Sequence, residues 1–279
     1  MKTISLLLLA LTITAGTALA QGSLMVNPKR IILTDRQRIG DITLFNSGSD
    51  TSSFVISLVH YEMEESGKFD EIPDSVHTYA STYCDSLIRY FPAEVTLPPH
   101  ESQAVHVRFM KPMGMAPGEY RSHMYFRALE RAAPIEEKAR DTSQHTISLV
   151  LRPIFGISIP IIVRSGTSPA TVTMDSASIS AVDTAGRGTI TALVHRNGNE
   201  SCYGSLLVFY QAPDGTSTQI GIVKGIAVYV PLAARRVSVA FTIPKGTDYT
   251  KGSFKLEYQT LTDQPHEQIM AETEIAAAK

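Results

Sequence analysis

The stretch Ile147-Ser148-Leu149-Val150-Leu151-Arg152-Pro153-Ile154-Phe155-Gly156-Ile157-Ser158-Ile159-Pro160-Ile161-Ile162-Val163-Arg164 decides the fold. Its odd positions are nearly all apolar: Ile147, Leu149, Leu151, Phe155, Ile157, Ile159, Ile161 and Val163. Alternation at period two marks a β-strand with one buried face. At roughly 3.3 Å per residue the run would extend on the order of 55 Å, well beyond an ordinary strand. Pro153 and Pro160 each remove a ladder donor, so they belong at a sheet edge or a bulge. Two readings follow. The row is core, divided into two strands that switch sheets at Arg152-Pro153, or it is an edge strand offered to a second chain by β-augmentation. Pro153 and Gly156 argue against one seamless strand. Ile147 to Leu151, with Phe155, are therefore read as the offered portion, and Ile157 to Val163 as the portion that holds its own domain together.

Outward from this strand, the chain reads as strands and turns throughout. Alternation appears in Arg38–Phe45, in Phe54–Tyr61, in Ala104–Phe109 (Val105, Val107 and Phe109 against His106 and Arg108) and in Met124–Leu129. Turn signals divide these runs: Asn46-Ser47-Gly48-Ser49-Asp50, Ser66-Gly67, Pro98-Pro99 and Pro117-Gly118. With Leu24–Leu33 and the strand ending at Val163, the first half offers about seven strands, as an immunoglobulin-like sandwich needs. Two segments break the pattern. Val76, Tyr79, Ala80, Tyr83 and Leu87 fall near helical spacing within Pro73–Arg89, which predicts a short helix or ordered insertion. Glu130–His145 is rich in charge and alanine and reads as a loop.

Residues 165–168, inside Arg164-Ser165-Gly166-Thr167-Ser168-Pro169, form the linker candidate between a first domain (21–164) and a second (169–279). Beyond it the alternation resumes in Ile190, Ala192 and Val194, in Leu206, Val208 and Tyr210, in Val237, Val239 and Phe241, and in Phe254, Leu256 and Tyr258. Gly186-Arg187-Gly188, Asn197-Gly198-Asn199, Pro213-Asp214-Gly215 and Pro244-Lys245-Gly246 supply the turns. The fold class is all-β: two β-sandwiches in tandem.

Residues 1–20 have the features of a secretory signal peptide. Lys2 gives a positive start, Ile4–Ile13 a short apolar core and Ala18-Leu19-Ala20 a small-residue cleavage site. No later apolar run approaches the length of a membrane span, so an exported chain without an integral membrane segment is expected. The formal net charge of −2 gives no basic footprint for nucleic acid. Cys84 and Cys202 are the only cysteines, and one disulfide is arithmetically possible in an oxidising compartment. Their placement in different domains leaves two free thiols or an intermolecular link equally open.

The residues spell out no catalytic constellation. The eight histidines (60, 77, 100, 106, 123, 145, 195, 266) are scattered, lack metal-site spacing and read as surface residues. No serine lies in a Gly-x-Ser-x-Gly elbow, and Ser122 and His123 are strand neighbours that point to opposite faces. Neither a metal nor an organic cofactor is implied, and an enzyme is not expected. A secreted hydrolase with an unrecognised site is the reading that this disfavours.

The order of several motifs carries a resemblance. Lys29-Arg30-Ile31-Ile32-Leu33, the strand ending at Asn46, Phe91-Pro92-Ala93-Glu94-Val95-Thr96-Leu97-Pro98, Val105-His106-Val107-Arg108, Tyr120-Arg121-Ser122-His123-Met124-Tyr125-Phe126 and the aliphatic strand ending in Arg164 follow one another as in periplasmic pilus chaperones of the chaperone–usher pathway. Residues 24–164 carry the resemblance; the second domain is similar only in being a β-sandwich of suitable length. The resemblance implies two immunoglobulin-like domains in a boomerang arrangement, a periplasmic location, pilus (fimbrial) subunits as partners and delivery to an outer-membrane usher. It implies strand donation by Ile147, Leu149, Leu151, Phe155 and Ile157. It also implies a basic pair in the cleft that holds the subunit's C-terminal carboxylate. Arg30 matches the first basic residue, whereas Pro160 stands where the family has a lysine; Arg164 and Arg121 are the candidate substitutes. The alternative function is an exported structural or adhesion β-sandwich protein without chaperone activity.

Overall fold

A computed structural model describes residues 24–73, 82–129, 154–244, 246–260 and 268–276. The signal segment 1–20, the loop 130–145 and the strand residues Ile147, Leu149 and Leu151 lie outside the described residues, as do residues 74–81 of the segment of helical spacing.

Among the described residues, ten strands lie between Leu24 and Ser165: β1 (Leu24–Asn27), β2 (Ile31–Thr34), β3 (Ile39–Asn46), β4 (Ser52–Met63), β5 (Phe69–Ile72), β6 (Ile88–Phe91), β7 (Glu94–Leu97), β8 (Ser102–Phe109), β9 (Gly118–Ala128) and β10 (Gly156–Ser165). They form two sheets, ordered β1-β3-β8-β6 and β2-β10-β9-β4-β5, with β7 also pairing β4. Ile42, Leu44, Val105, Val107 and Phe109 of the first sheet face Leu33, Phe54, Met124, Phe126, Ile161 and Val163 of the second, all buried in one core. This is a sandwich closed by the alternation that the sequence displays. The run Leu24–Leu33 is not one strand. Pro28 cannot donate to a ladder, and the chain crosses there from the first sheet to the second. In the described part of the helical-spacing segment, Asp85–Leu87 make a single 3-10 turn and Ile88 already begins β6. Asn46 fastens its turn: its side-chain amide donates to Leu97 O at 2.9 Å and Asp50 O at 2.7 Å, and its Oδ1 accepts from Gly48 N.

Seven strands follow among the described residues: β11 (Thr171–Ile179), β12 (Arg187–Asn197), β13 (Cys202–Gln211), β14 (Ser217–Val228), β15 (Ala234–Thr242), β16 (Ser253–Thr260) and β17 (Ile269–Ala276). Two limbs, β11-β12-β15 and β14-β13-β16-β17, are joined at the single pair Gly221–Phe241 and fold face to face around Val194, Val239, Phe241, Val208, Phe254 and Tyr258. Gly225 is the extra residue in β14 where its register against β13 shifts between Gly204 and Ser205. Its φ of +76° suits glycine and makes a bulge. The turn expected at Gly186-Arg187-Gly188 closes one step earlier, with Gly186 N donating to Asp183 O and Asp183 N to Arg187 O.

The structure corrects the disulfide option. Cys84 and Cys202 are both free and buried, each in the core of its own sandwich, where no thiol of the other domain can reach. Burial pushes the Cys84 thiol up to about 12 and raises that of Cys202. Both thiols should resist an aromatic disulfide reagent at neutral pH and react fully once the chain is unfolded. Rapid labelling of folded protein, or a disulfide band on a non-reducing gel, would contradict this placement.

Candidate functional site: the cleft between the sandwiches

The two sandwiches meet at an ionic joint. Glu119 of β9 is buried and accepts hydrogen bonds from Ser201 N at 2.9 Å, from Ser201 Oγ and from Arg164 Nε at 2.9 Å. Arg164, near the end of β10, also pairs with Glu200 at 3.0 Å and donates to Ser201 O at 2.9 Å. Ser201 Oγ accepts in turn from Val230 N. Glu119 and Arg164 belong to the first domain, and Glu200, Ser201 and Val230 to the second.

A second crossing lies at the tip of the β4–β5 hairpin. Arg236 N donates to Glu65 O at 2.7 Å, and the Arg236 guanidinium pairs with the Glu65 carboxylate at 2.7 Å. Gly67, with φ +84°, lies against the Arg235 guanidinium so closely that a Cβ would fall 2.3 Å from Nε. Met63, Ile162, Ala227 and Tyr229 form a buried apolar cluster between the two crossings.

Three further guanidinium groups line this interface with hydrogen-bonding capacity unused. Arg30 caps the Tyr203 ring at 4.0 Å and Arg121 caps Tyr229 at 4.2 Å, both at cation–π distance. Buried Nη1 atoms of Arg30 and Arg121 and Nε of Arg235 have no hydrogen-bond partner. Arg121 is only 7% exposed, donates through Nη2 to Tyr61 O at 3.1 Å, and has its pKa pressed down by burial. Both Arg30 and Arg121 act electrostatically on the Tyr229 hydroxyl, opposing the rise in its pKa that burial causes. The two cations therefore share one locality. A buried guanidinium with an unpaired N–H favours an anion that can accept from it.

Beside these cations runs an open strand edge. Ala128 N donates to Phe155 O at 3.0 Å, which sets Phe155 and the odd residues after it to bond β9. The even residues turn their backbone groups the other way. On that side β2 pairs in parallel with Ile161–Arg164 only, so Gly156, Ser158 and Pro160 face an edge with no paired strand among the described residues. Pro160 lies on this edge, where its missing N–H leaves no ladder donor unmade toward β9. The odd row fills the core at Ile159, Ile161 and Val163 and then runs out of core: Ile157 and Phe155 are 36% and 57% exposed, and Ile154 beside them is 46% exposed.

The anticipated basic residues separate. Arg30 stands immediately before Ile31, whose Cα partner is Ile161, so it lies abreast of Pro160; Arg121, partner of Ile162, is two residues further along β10. Arg164 is removed from the anchor set, because two carboxylates and a carbonyl already take up its guanidinium. Sequence reading also missed His123. It is 4% exposed, not a surface residue, and meets Tyr61 and Phe69 edge-on at 4.9 and 5.5 Å. Burial, with Arg121 and His60 beside it, pushes its pKa down to about 3, so it is neutral at pH 7. His60 is largely covered as well and pairs with Asp85 at 2.8 Å. Ser122 donates to that same carboxylate from the opposite face of β9, so no Ser122–His123 pair exists. Among the described residues no group of three or more His, Cys, Asp or Glu is arranged to hold a metal ion. Tyr203, Tyr229 and Arg235 gave little sign of their role in the sequence; the Arg235-Arg236 pair at the head of β15 was the one available signal.

No family model matches the chain, and no curated protein does. Solved structures similar to it include the YadV chaperone, 11% identical with a TM-score of 0.46 over 90% of this chain and 99% of that one. The E. coli chaperone DraB is 10% identical with a TM-score of 0.45, over 92% and 97%. The CsuC–CsuE chaperone–tip adhesion subunit pre-assembly complex, from archaic chaperone–usher Csu pili of Acinetobacter baumannii, is 11% identical with a TM-score of 0.43, over 92% and 100%.

The joint and the buried histidine can each be tested by stability. Arg164→Ala leaves the Glu119 carboxylate buried without its cation and should lower the urea unfolding free energy by about 3 kcal/mol; a loss under about 1 kcal/mol would contradict the joint. The histidine is tested by pH. The folded pKa of His123 lies below the unfolded value of 6.5, so below pH 6.5 the unfolded chain binds the extra proton and stability falls as pH drops toward 3. Each pH unit in that window costs up to about 1.4 kcal/mol. His123→Phe should flatten this acid slope, measured by urea unfolding at pH 7 and pH 5; an unchanged slope would refute the assignment.

Proposed function

We propose that the protein is a periplasmic chaperone that lends the free edge of β10 to a pilus subunit and holds the subunit's C-terminal carboxylate between Arg30 and Arg121. One observation carries this reading. The edge at Gly156, Ser158 and Pro160, which has no paired strand among the described residues, runs beside exposed Ile154, Phe155 and Ile157 and leads to the two guanidinium groups with unused N–H donors.

A subunit that lacks a strand exposes an apolar groove and unpaired backbone, both unfavourable in water. The odd row of β10 supplies the missing side chains where it outruns its own core. Phe155 and Ile157 are the described members, and the chain N-terminal to them, with Ile147, Leu149 and Leu151, extends the same alternation. Each aliphatic or aromatic side chain docked contributes roughly 1.5–3 kcal/mol. A strand entering the open edge continues the line of β2, which is parallel to β10, and so runs parallel with its C-terminus toward Arg30. A carboxylate there would accept from Arg30 Nη1 and Arg121 Nη1, restoring two buried donors and fixing the register of the added strand. The subunit would then be handed to an outer-membrane usher.

Co-production with an exported pilus subunit, followed by affinity recovery of the complex, tests the reading. Arg30→Ala with Arg121→Ala should cut recovery at least tenfold, and Leu149→Asp with Leu151→Asp should abolish it, with circular dichroism unchanged. Recovery equal to that of the parent chain in both variants would overturn the proposal.

A further inference from the structure

Next to the open edge of β10 lies a half-enclosed cavity of about 380 Å³. Ser158 and Pro160 form its floor on the first domain, the β4–β5 hairpin supplies Tyr61 and Phe69 as one wall, and Tyr229 and Arg235 supply the other. The hairpin is held in place as a wall by its own crossing to the second domain: Glu65 on Arg236, Gly67 on the Arg235 guanidinium and Phe69 6.1 Å from the Tyr229 ring. Three aromatic rings therefore surround a space that none of the described residues fills. Two polar atoms at its rim, Arg235 Nε and His123 Nδ1, are buried and have no hydrogen-bond partner.

The position of the cavity relative to the edge gives it a use. Ser158 and Pro160 are the same even residues whose backbone faces the open edge, and their side chains point to the cleft rather than to the core. A strand added along Gly156–Pro160 projects every second side chain to that cleft face. With its C-terminus at Arg30, abreast of Pro160, a side chain within a few residues of its end must fall into or over the cavity. The rings suit a large apolar or aromatic group and would leave a small one with unfilled space.

Resting on the function proposed above, we infer that this hairpin-walled cavity is a side-chain pocket that selects partners by a bulky, ring-bearing residue close to their C-terminus. Affinity for the added strand then has two separable parts: the carboxylate on Arg30 and Arg121, and the side chain between Tyr61, Phe69 and Tyr229. The first fixes where the chain ends, and the second discriminates among chains that end there.

Short synthetic peptides of alternating threonine and valine separate the two. Each would carry phenylalanine or alanine at one of the positions nearest the C-terminus, as free acid or amide, and binding would be measured by fluorescence anisotropy. Phenylalanine should bind about tenfold or more tightly than alanine, at alternate positions only. Ser158→Trp, which fills the cavity from an exposed site, and Phe69→Ala, which removes its wall, should each reduce that preference to about twofold or less. The effect of amidation should survive in both variants, since neither touches Arg30 or Arg121. Binding that depends on the free carboxylate but shows no phenylalanine preference would overturn the pocket and leave the proposed function standing. A preference that persists unchanged in both variants would overturn the pocket in the same way. Absence of binding by every peptide would overturn both.

Discussion

The buried carboxylate of Glu119 is the constraint on which the arrangement of this molecule rests. A charge withdrawn from water is tolerated only when its lone pairs are met by donors and its charge by a cation. Here the cation, Arg164, comes from the same sandwich, but both Ser201 donors come from the other. Glu200 then completes the coordination of Arg164 from the second domain. Separating the domains would strip Glu119 of two donors and Arg164 of the Glu200 carboxylate. The relative placement of the two sandwiches is thereby coupled to the satisfaction of this buried charge.

With that joint fixed, the cleft follows. Arg164 and the pair Arg30 and Arg121 are the same residue type at the same interface, yet they differ in chemistry. Arg164 meets two carboxylates and is neutralised. Arg30 and Arg121 meet the faces of Tyr203 and Tyr229, which steady a cation without using its N–H groups. Aromatic caps on one side and unused donors on the other are what the proposed carboxylate anchor rests on. The hairpin contact through Glu65, Gly67 and Phe69 gives the same cleft a second wall, so the site is enclosed rather than flat.

Strand β10 shows how one segment serves two purposes. Its odd residues bond β9 and pack the core as far as Ile159; its even residues face the open edge and the cleft. Pro160 is compatible with the strand only because it occupies an even position, where the absent N–H would have pointed to the edge. A proline in place of Ile159 or Ile161 would remove a donor toward β9 and weaken the central pairing.

Much of this was legible in the residues alone. Period-two alternation in Ala104–Phe109, Val237–Phe241 and Ile157–Val163 specified strands, their buried faces and hence two sandwiches, because side-chain direction along a strand is a local consequence of backbone geometry. The exposure of Phe155 and Ile157 was foreshadowed by a row too long for one core. What pairs with what was not local. That Arg164 is neutralised while Arg121 is not depends on Glu119, Glu200 and Ser201, one of them 45 and two of them about 36 residues away, converging at the joint. The burial of His123, the enclosure by the β4–β5 hairpin and the separation of Cys84 from Cys202 likewise arise from the tertiary arrangement. Local pattern determined the strands and their faces; electrostatic satisfaction across the interface, which only the tertiary structure supplies, decided which of those residues are left to bind something else.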